Sequence, residues 1–214
     1  YSKNVAKILD KYCDIVLVGD SMANVLYGYK STNKLSFLNI IQHASSVKKG
    51  IKNSLLVVDM PYNTYNNNKQ ALKNAKLVLK QTGCDAIKLE SNKDNFKIIK
   101  YLVSKKIPVM GHIGYTPQFK KKFRLEGKTE RASNSLLKEA KQIEEAGAFS
   151  IVLECLTPKA AKRITNNLKI PTIGIGSSLY CDGQILVTDD MLGLSGFYPK
   201  FVKKYANLNR TIEK

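Results

Sequence analysis

Five residues able to do acid–base or metal chemistry stand at corresponding places along the chain, each closing a short apolar run. They are Asp20 in Val-Gly-Asp-Ser, Asp59 in Val-Val-Asp-Met-Pro, Glu90 in Ile-Lys-Leu-Glu, His112 in Met-Gly-His-Ile-Gly and Glu154 in Val-Leu-Glu-Cys. If the runs are parallel strands of one barrel, their C-terminal ends bring these groups to a single mouth, where barrel enzymes build their sites. Carboxylates gathered this way repel one another, and a divalent cation relieves the repulsion; a donor set made of oxygens selects Mg2+ over zinc. The alternative for any one acid is a cap on the following helix or a pair with a surface lysine. That alternative has to be invoked separately for every acid in the series.

Lys88 lies two positions before Glu90, so strand periodicity sends both side chains to the same face, toward the barrel interior. An inward ammonium needs an anion, which is either a substrate or simply a neighbouring carboxylate. Ser21 follows Asp20 and either donates to a substrate oxygen or caps the short helix expected after it. His112 is flanked by Gly111 and Gly114, where backbone can approach a ligand; a satisfied structural histidine is the competing reading. His43 falls in an amphipathic run over residues 37–48 and is read as a packing residue.

The elements that must position these groups are legible as continuous β-branched runs at residues 14–18, 54–58, 86–89, 108–111, 150–153, 172–174 and 184–187. Continuous rather than alternating apolar character marks strands buried on both faces. Between them, residues 71–80 place Leu72, Ala75 and Leu79 on one helical face, and residues 135–145 place Leu136, Ala140 and Ile143 likewise. A helix-like stretch also covers residues 4–12, and Gly50, Gly83 and Gly147 punctuate helix ends. Alternating strand and helix leaves a doubly wound sheet or a (β/α)8 TIM barrel. The barrel is favoured because no GxGxxG or GxxxxGK[ST] fingerprint occurs and the polar groups close five successive strands instead of collecting at one switch point. Seven runs are one short of eight, so a first strand upstream of Tyr1 is expected to complete the barrel. The link over residues 176–183 is too short for an ordinary crossover helix.

Length and composition are those of a single barrel domain over residues 1–214 with a substantial core. The apolar runs are far below the ~18 residues that a membrane span requires, and no leader-like opening is present, so a soluble cytoplasmic protein without a membrane partner is expected. A net charge of +18 invites a nucleic-acid reading, but of the 35 basic residues only Arg124, Arg131, Arg163 and Arg210 are arginine, and the lysines are dispersed. Solvated helix faces account for that pattern, so no nucleic acid is expected as a partner. Cys13, Cys84, Cys155 and Cys181 form no CxxC pair and are read as reduced, mostly buried thiols.

The blocks Val18-Gly19-Asp20-Ser21, Ile87-Lys88-Leu89-Glu90, Gly111-His112-Ile113-Gly114-Tyr115-Thr116-Pro117-Gln118, Val152-Leu153-Glu154-Cys155, Ile173-Gly174-Ile175-Gly176 and Asp182-Gly183-Gln184-Ile185-Leu186-Val187 together resemble the ketopantoate hydroxymethyltransferase family. The Gly-His-x-Gly-x-Thr-Pro-Gln and Asp-Gly-Gln-Ile-Leu-Val blocks are the specific ones. The resemblance implies a (β/α)8 barrel that transfers a hydroxymethyl group from 5,10-methylenetetrahydrofolate, as cosubstrate, to 3-methyl-2-oxobutanoate through a Mg-stabilised enolate, forming 2-dehydropantoate in pantothenate biosynthesis. It implies Mg2+ held by Asp20, Asp59 and Glu90, substrate contacts from Asp20, Ser21, Asp59, Lys88 and His112, and Glu154 as proton acceptor. It also implies a homo-oligomer, as large as a decamer.

The sequence departs from the family at Gly176-Ser177-Ser178, where Gly-Ala-Gly is usual, and in the lysine-rich loop over residues 119–131, where the family is glycine-rich. Two other readings stay open. The phosphoenolpyruvate mutase and isocitrate lyase superfamily also uses Mg2+ and 2-oxo acids on a barrel, with a catalytic cysteine loop of which no trace stands out here. A non-catalytic binding or scaffold protein built on the same barrel is the other.

Overall fold

The computed structural model describes residues 1–92, 95–196 and 198–214. In chain order the elements are α1 (Lys3–Leu9), β1 (Ile15–Val18), α2 (Met22–Val25), α3 (Phe37–Lys48), β2 (Leu55–Asp59), α4 (Asn68–Thr82), β3 (Ala86–Glu90), α5 (Asn95–Ser104), β4 (Val109–Gly114), α6 (Glu130–Glu145), β5 (Ser150–Glu154), α7 (Pro158–Thr165), β6 (Thr172–Ile175), β7 (Gly183–Gln184), α8 (Thr188–Leu192) and α9 (Leu208–Ile212). The strands form one parallel sheet in the order β1-β2-β3-β4-β5-β6-β7. No reversal of strand order occurs, so the chain winds in one direction only, unlike a doubly wound sheet.

Side chains alternate between two cores. Val16, Val18, Leu56, Val58, Ile87, Leu89, Val109, Ile113, Ile151 and Leu153 point outward and join the helices in one cluster. Ile15, Leu17, Val57, Ala86, Met110, Val152, Ile173 and Ile185 point inward and form a second. Inward residues of β1 through β6 meet in a single cluster only because the sheet curls on itself. Among the described residues β1 and β7 remain its two edges.

The helices start where short polar side chains cap them. Ser36, Asn67, Thr129 and Thr157 each accept a hydrogen bond from the backbone N–H three residues on. The buried face of α6 contains the expected Leu136, Ala140 and Ile143. That of α4 is turned slightly, onto Ala71, Ala75, Val78 and Thr82, leaving Leu72 and Leu79 at its margin.

Three expectations need correction. The first helix ends at Leu9; Asp10, its C-cap, keeps a helical backbone while its side chain accepts the backbone N–H groups of Asn53 and Ser54. The last strand is only Gly183–Gln184, since without a crossover helix the chain makes a short excursion beside β6 and enters α8 at Thr188. Gly50 does not end a helix in the left-handed conformation. A Cβ there would come 2.4 Å from the Lys3 carbonyl oxygen, so glycine is needed for the close approach of α1. All four cysteines are unpaired, with Cys84, Cys155 and Cys181 buried.

Candidate active site

The inward face of the sheet is stratified. Val57, Ala86, Met110 and Val152 form an apolar floor. Two residues further along the same strands, on the same side of the pleat, stand Asp59, Lys88, His112 and Glu154. Glu90 lies one more step up β3, and Asp20 follows β1 directly. The floor keeps water away from below, so Asp20, Asp59, Lys88, Glu90 and His112 are all almost fully buried, whereas the Glu154 side chain keeps 17% of its surface exposed. Of the grouped acids, Glu154 is therefore the one open to an arriving molecule.

Lys88 is the charge centre. Its Nζ lies 2.9 Å from Asp59 Oδ1 and 3.3 Å from His112 Nδ1. Burial acts to lower the ammonium, but Asp59, Glu90 and Asp20 together outweigh it and raise its pKa above the usual lysine value. Burial and then the Lys88 charge push His112 well below its ordinary pKa, so the imidazole is neutral. An ammonium only donates, which makes Nδ1 the acceptor and leaves the ring proton on Nε2. That nitrogen lies 3.1 Å from Glu154 Oε2, without the alignment of a hydrogen bond.

The acids are undercompensated. Burial, followed by repulsion from Asp59, pushes Asp20 up to about 7 despite Lys88 and Gln118. Burial and Asp20 hold Glu90 well above the carboxylate range. Burial pushes Glu154 up to about 8, with Lys88 opposing and Asp59 assisting.

Such an excess of buried acid suits a dication. Asp20 and Asp59 are in direct contact through the Asp20 backbone N–H and Asp59 Oδ2 at 3.0 Å. Asp59 Oδ1 accepts no hydrogen bond beyond the Lys88 ion contact. Among the described residues no three His, Cys, Asp or Glu side chains converge closely enough to hold an ion unaided. A Mg2+ ion, however, commonly takes one or two protein carboxylates and completes its shell with water and substrate oxygens. The donor set therefore fits Mg2+ with outside ligands.

The helix-cap alternative fails for Asp59 and Glu154, because α4 and α7, the helices after their strands, are capped by Asn67 and Thr157. Ser21 does not cap α2 with its side chain; its Oγ pairs with Tyr1 Oη at 2.6 Å. The Lys88-to-carboxylate bridge weighed from the sequence is present, to Asp59. Neither glycine beside His112 opens the backbone to a ligand. A Cβ on Gly111 would lie 2.5 Å from Ile143 Cγ2 on α6, and one on Gly114, whose φ is +98°, would lie 2.1 Å from the Glu154 carbonyl oxygen. Both serve close packing. His43 bridges the Tyr1 carbonyl and the Tyr27 hydroxyl, as a packing residue does.

Sequence reasoning assigned no role to Gln118 or Tyr65, both buried beside the acids. Gln118 ends the Thr-Pro-Gln block, so its position was visible, but it lies in a loop beyond β4 where periodicity gives no direction. Tyr65 sits in an asparagine-rich loop with no signal at all. A cavity of about 640 Å3 opens beside Tyr65, Asn63, Asn95 and Phe119, adjacent to the acids and not over them.

The family model for Ketopantoate hydroxymethyltransferase matches residues 1–214. The 3-methyl-2-oxobutanoate hydroxymethyltransferase of Pelagibacter ubique (strain HTCC1062) is 52% identical over 212 residues, covering 99% of this chain and 82% of that protein. The protein of the same name from Anaplasma marginale (strain St. Maries) is 46% identical over 216 residues, covering 100% and 78%. Among solved structures, the phosphoenolpyruvate phosphomutase from Streptomyces platensis subsp. rosaceus has a TM-score of 0.64 at 14% identity, over 99% of this chain and 76% of that one. A phosphonopyruvate hydrolase complexed with oxalate and Mg++ has a TM-score of 0.63 at 14% identity, over 81% of this chain and 64% of that one. The phosphoenolpyruvate mutase and isocitrate lyase superfamily thus shares the architecture at low sequence identity, while the sequence matches lie elsewhere over the whole chain. The chain belongs to the ketopantoate hydroxymethyltransferase family.

Proposed function

We propose that this site transfers a hydroxymethyl group from 5,10-methylenetetrahydrofolate to 3-methyl-2-oxobutanoate, forming 2-dehydropantoate for pantothenate synthesis. The chain is a transferase by family. One observation carries the residue-level reading: a partly open Glu154 stands on the same inward layer as the buried Asp59, Lys88 and His112, above an apolar floor. Asp20 and Asp59 would hold Mg2+, with Glu90 completing the acidic set. Bound there, Mg2+ would supply the Lewis acidity that stabilises negative charge on the 2-oxo oxygen.

The Lys88 ammonium has three donors, of which Asp59 and His112 occupy two; the third is available for the substrate carboxylate. Ser21 and His112 border the same space. Glu154 takes the proton from C3, and the electron pair of that C–H bond moves onto the carbonyl to give an enolate. The one-carbon unit bonds to C3 as both of its bonds to folate nitrogens break, water supplies the hydroxyl oxygen, and the two nitrogens of the departing tetrahydrofolate take up the proton held by Glu154 and one from that water. The reading includes a (β/α)8 barrel as a single domain, to which the described residues of 1–214 contribute seven parallel strands. It also includes a cytoplasmic homo-oligomer, up to a decamer. No described helix is long and apolar enough to cross a membrane.

Proton NMR in D2O tests the chemistry. With Mg2+ present, the C3–H signal of 3-methyl-2-oxobutanoate should disappear, and adding 5,10-methylenetetrahydrofolate should yield 2-dehydropantoate. A well-folded protein that catalyses neither exchange nor transfer would favour the scaffold reading.

A further inference from the structure

Gln118 links several of the site's elements at once. Its backbone N–H donates to Glu90 Oε2 at 2.9 Å. Its Nε2 donates to Asp20 Oδ2 at 2.8 Å and to the Met60 carbonyl oxygen at 3.0 Å. Its Oε1 accepts from the Tyr65 hydroxyl, and its carbonyl oxygen accepts from Asn33 Nδ2 at 3.1 Å. The amide orientation follows from chemistry. Turned over, the side chain would set its oxygen against the Met60 carbonyl and the Asp20 carboxylate at once, so Nε2 must face them.

Both amide hydrogens are thus used, and one residue ties together the chain at the ends of β1 and β2 through its side chain and at the end of β3 through its backbone. Its neutrality matters as much as its reach. A lysine here would cancel the acidic charge that attracts a dication, and a carboxylate would add repulsion and could not donate. The amide holds one oxygen of Asp20 while leaving the negative charge of the cluster intact.

We propose that Gln118, oriented by Tyr65, is the positioning residue that aims the Asp20 carboxylate and thereby sets the affinity of the site for its divalent cation. This rests on the reading of Asp20 and Asp59 as cation ligands. Outer partners of metal ligands typically contribute 10–100-fold in affinity, and Gln118 is such a partner for Asp20 through its side chain and for Glu90 through its backbone.

The probe is Mn2+, titrated into the metal-free protein and followed by its electron paramagnetic resonance signal, with a thermal melt of each variant. Gln118→Met keeps the length of the side chain and removes its hydrogen bonds. It should bind Mn2+ roughly 10-fold or more weakly, and its C3–H exchange should recover at high Mg2+ concentration. A merely structural role would lower the melting temperature without shifting the cation titration. Unchanged Mn2+ affinity in folded Gln118→Met overturns the proposal while leaving the metal reading intact. Absence of Mn2+ binding by the wild-type chain overturns both. If Gln118→Met does not fold, Tyr65→Phe decides, since it frees the amide and otherwise gives up only a contact with the Glu90 backbone, leaving every carboxylate partner in place: weaker Mn2+ binding supports the positioning role, and wild-type affinity overturns it.

Discussion

Lys88 Nζ and Asp59 Oδ1, from adjacent strands in direct register, lie 2.9 Å apart with both side chains almost wholly shut from solvent. The pair sits at the boundary between the apolar floor and the acidic rim, so one ammonium is shared among Asp59, the neutral His112 and two further carboxylates that it stabilises at a distance. The cluster is arranged around this ammonium, which leaves its acids undercompensated.

Removing it should therefore be costly. Lys88→Met leaves Asp59 buried without its counter-charge, and breaking such a pair by deleting one partner typically costs about 3–5 kcal/mol. Urea unfolding at neutral pH should show that loss. Double replacement with Asp59→Asn should recover part of it, because the carboxylate in direct contact with Lys88 is then no longer left unpaired. A Lys88→Met protein as stable as the wild type would mean that the ion contact is not maintained in solution.

As the proposed base, Glu154 should set the pH dependence of proton abstraction. The base works only when ionised, so C3–H exchange should rise with pH, reach half its maximum near 8, the value to which burial pushes this carboxyl, and level off roughly a pH unit above that. Glu154→Gln removes the base and should reduce exchange by roughly 100- to 10,000-fold while leaving the fold unchanged. A pH profile flat from 5 to 9 in the wild type would assign the proton to another group.

Asp10 governs acid stability far from the site. It accepts from the backbone N–H groups of Asn53 and Ser54 and from Asn53 Nδ2, at 2.8–2.9 Å. The Ser54 N–H leads in holding its pKa far below the usual carboxylate range, against a smaller effect of burial. A depressed folded-state pKa contributes stability that is present above the unfolded value of about 3.9 and is lost as pH falls toward the folded one. Asp10→Asn should thus lower the unfolding midpoint at pH 7, and the gap from the wild type should narrow progressively below about pH 4. A constant gap from pH 7 to pH 2 would refute the linkage.

Gly111 reports on how tightly α6 packs against β4. A methyl group there meets Ile143 Cγ2 at 2.5 Å, and overpacking of this kind typically costs about 1–3 kcal/mol. Gly111→Ala should lower the melting temperature, and the same change should cost less in an Ile143→Ala background, which lacks the Cγ2 atom the new methyl meets. Full additivity of the two changes would show that helix and strand do not touch as described.

Much of the architecture was legible in the chain itself, for a physical reason. A strand buried on both faces must be apolar at successive positions, so six of the seven strands announced themselves by β-branched runs, and α3 and the buried face of α6 by helical periodicity. The same period of two assigned Lys88 and Glu90 to one face, and the polar residue closing each run marked the rim. The two-residue β7 escaped a correct description because so short a strand is defined by its neighbour β6 and hardly at all by its own residues.

The partners of each rim residue were decided only in three dimensions. Nothing local says that Lys88 leans on Asp59, that Gly111 makes room for Ile143, or that Gln118 reaches back to Asp20 across 98 positions of sequence. Periodicity specifies which side of an element a residue occupies. Distances between side chains on different elements depend on the curl of the sheet and on loop paths, and these emerge from packing the whole chain. The residue types at the rim were thus written in the sequence, whereas their charge balance, their burial and the amide that links them came from tertiary structure.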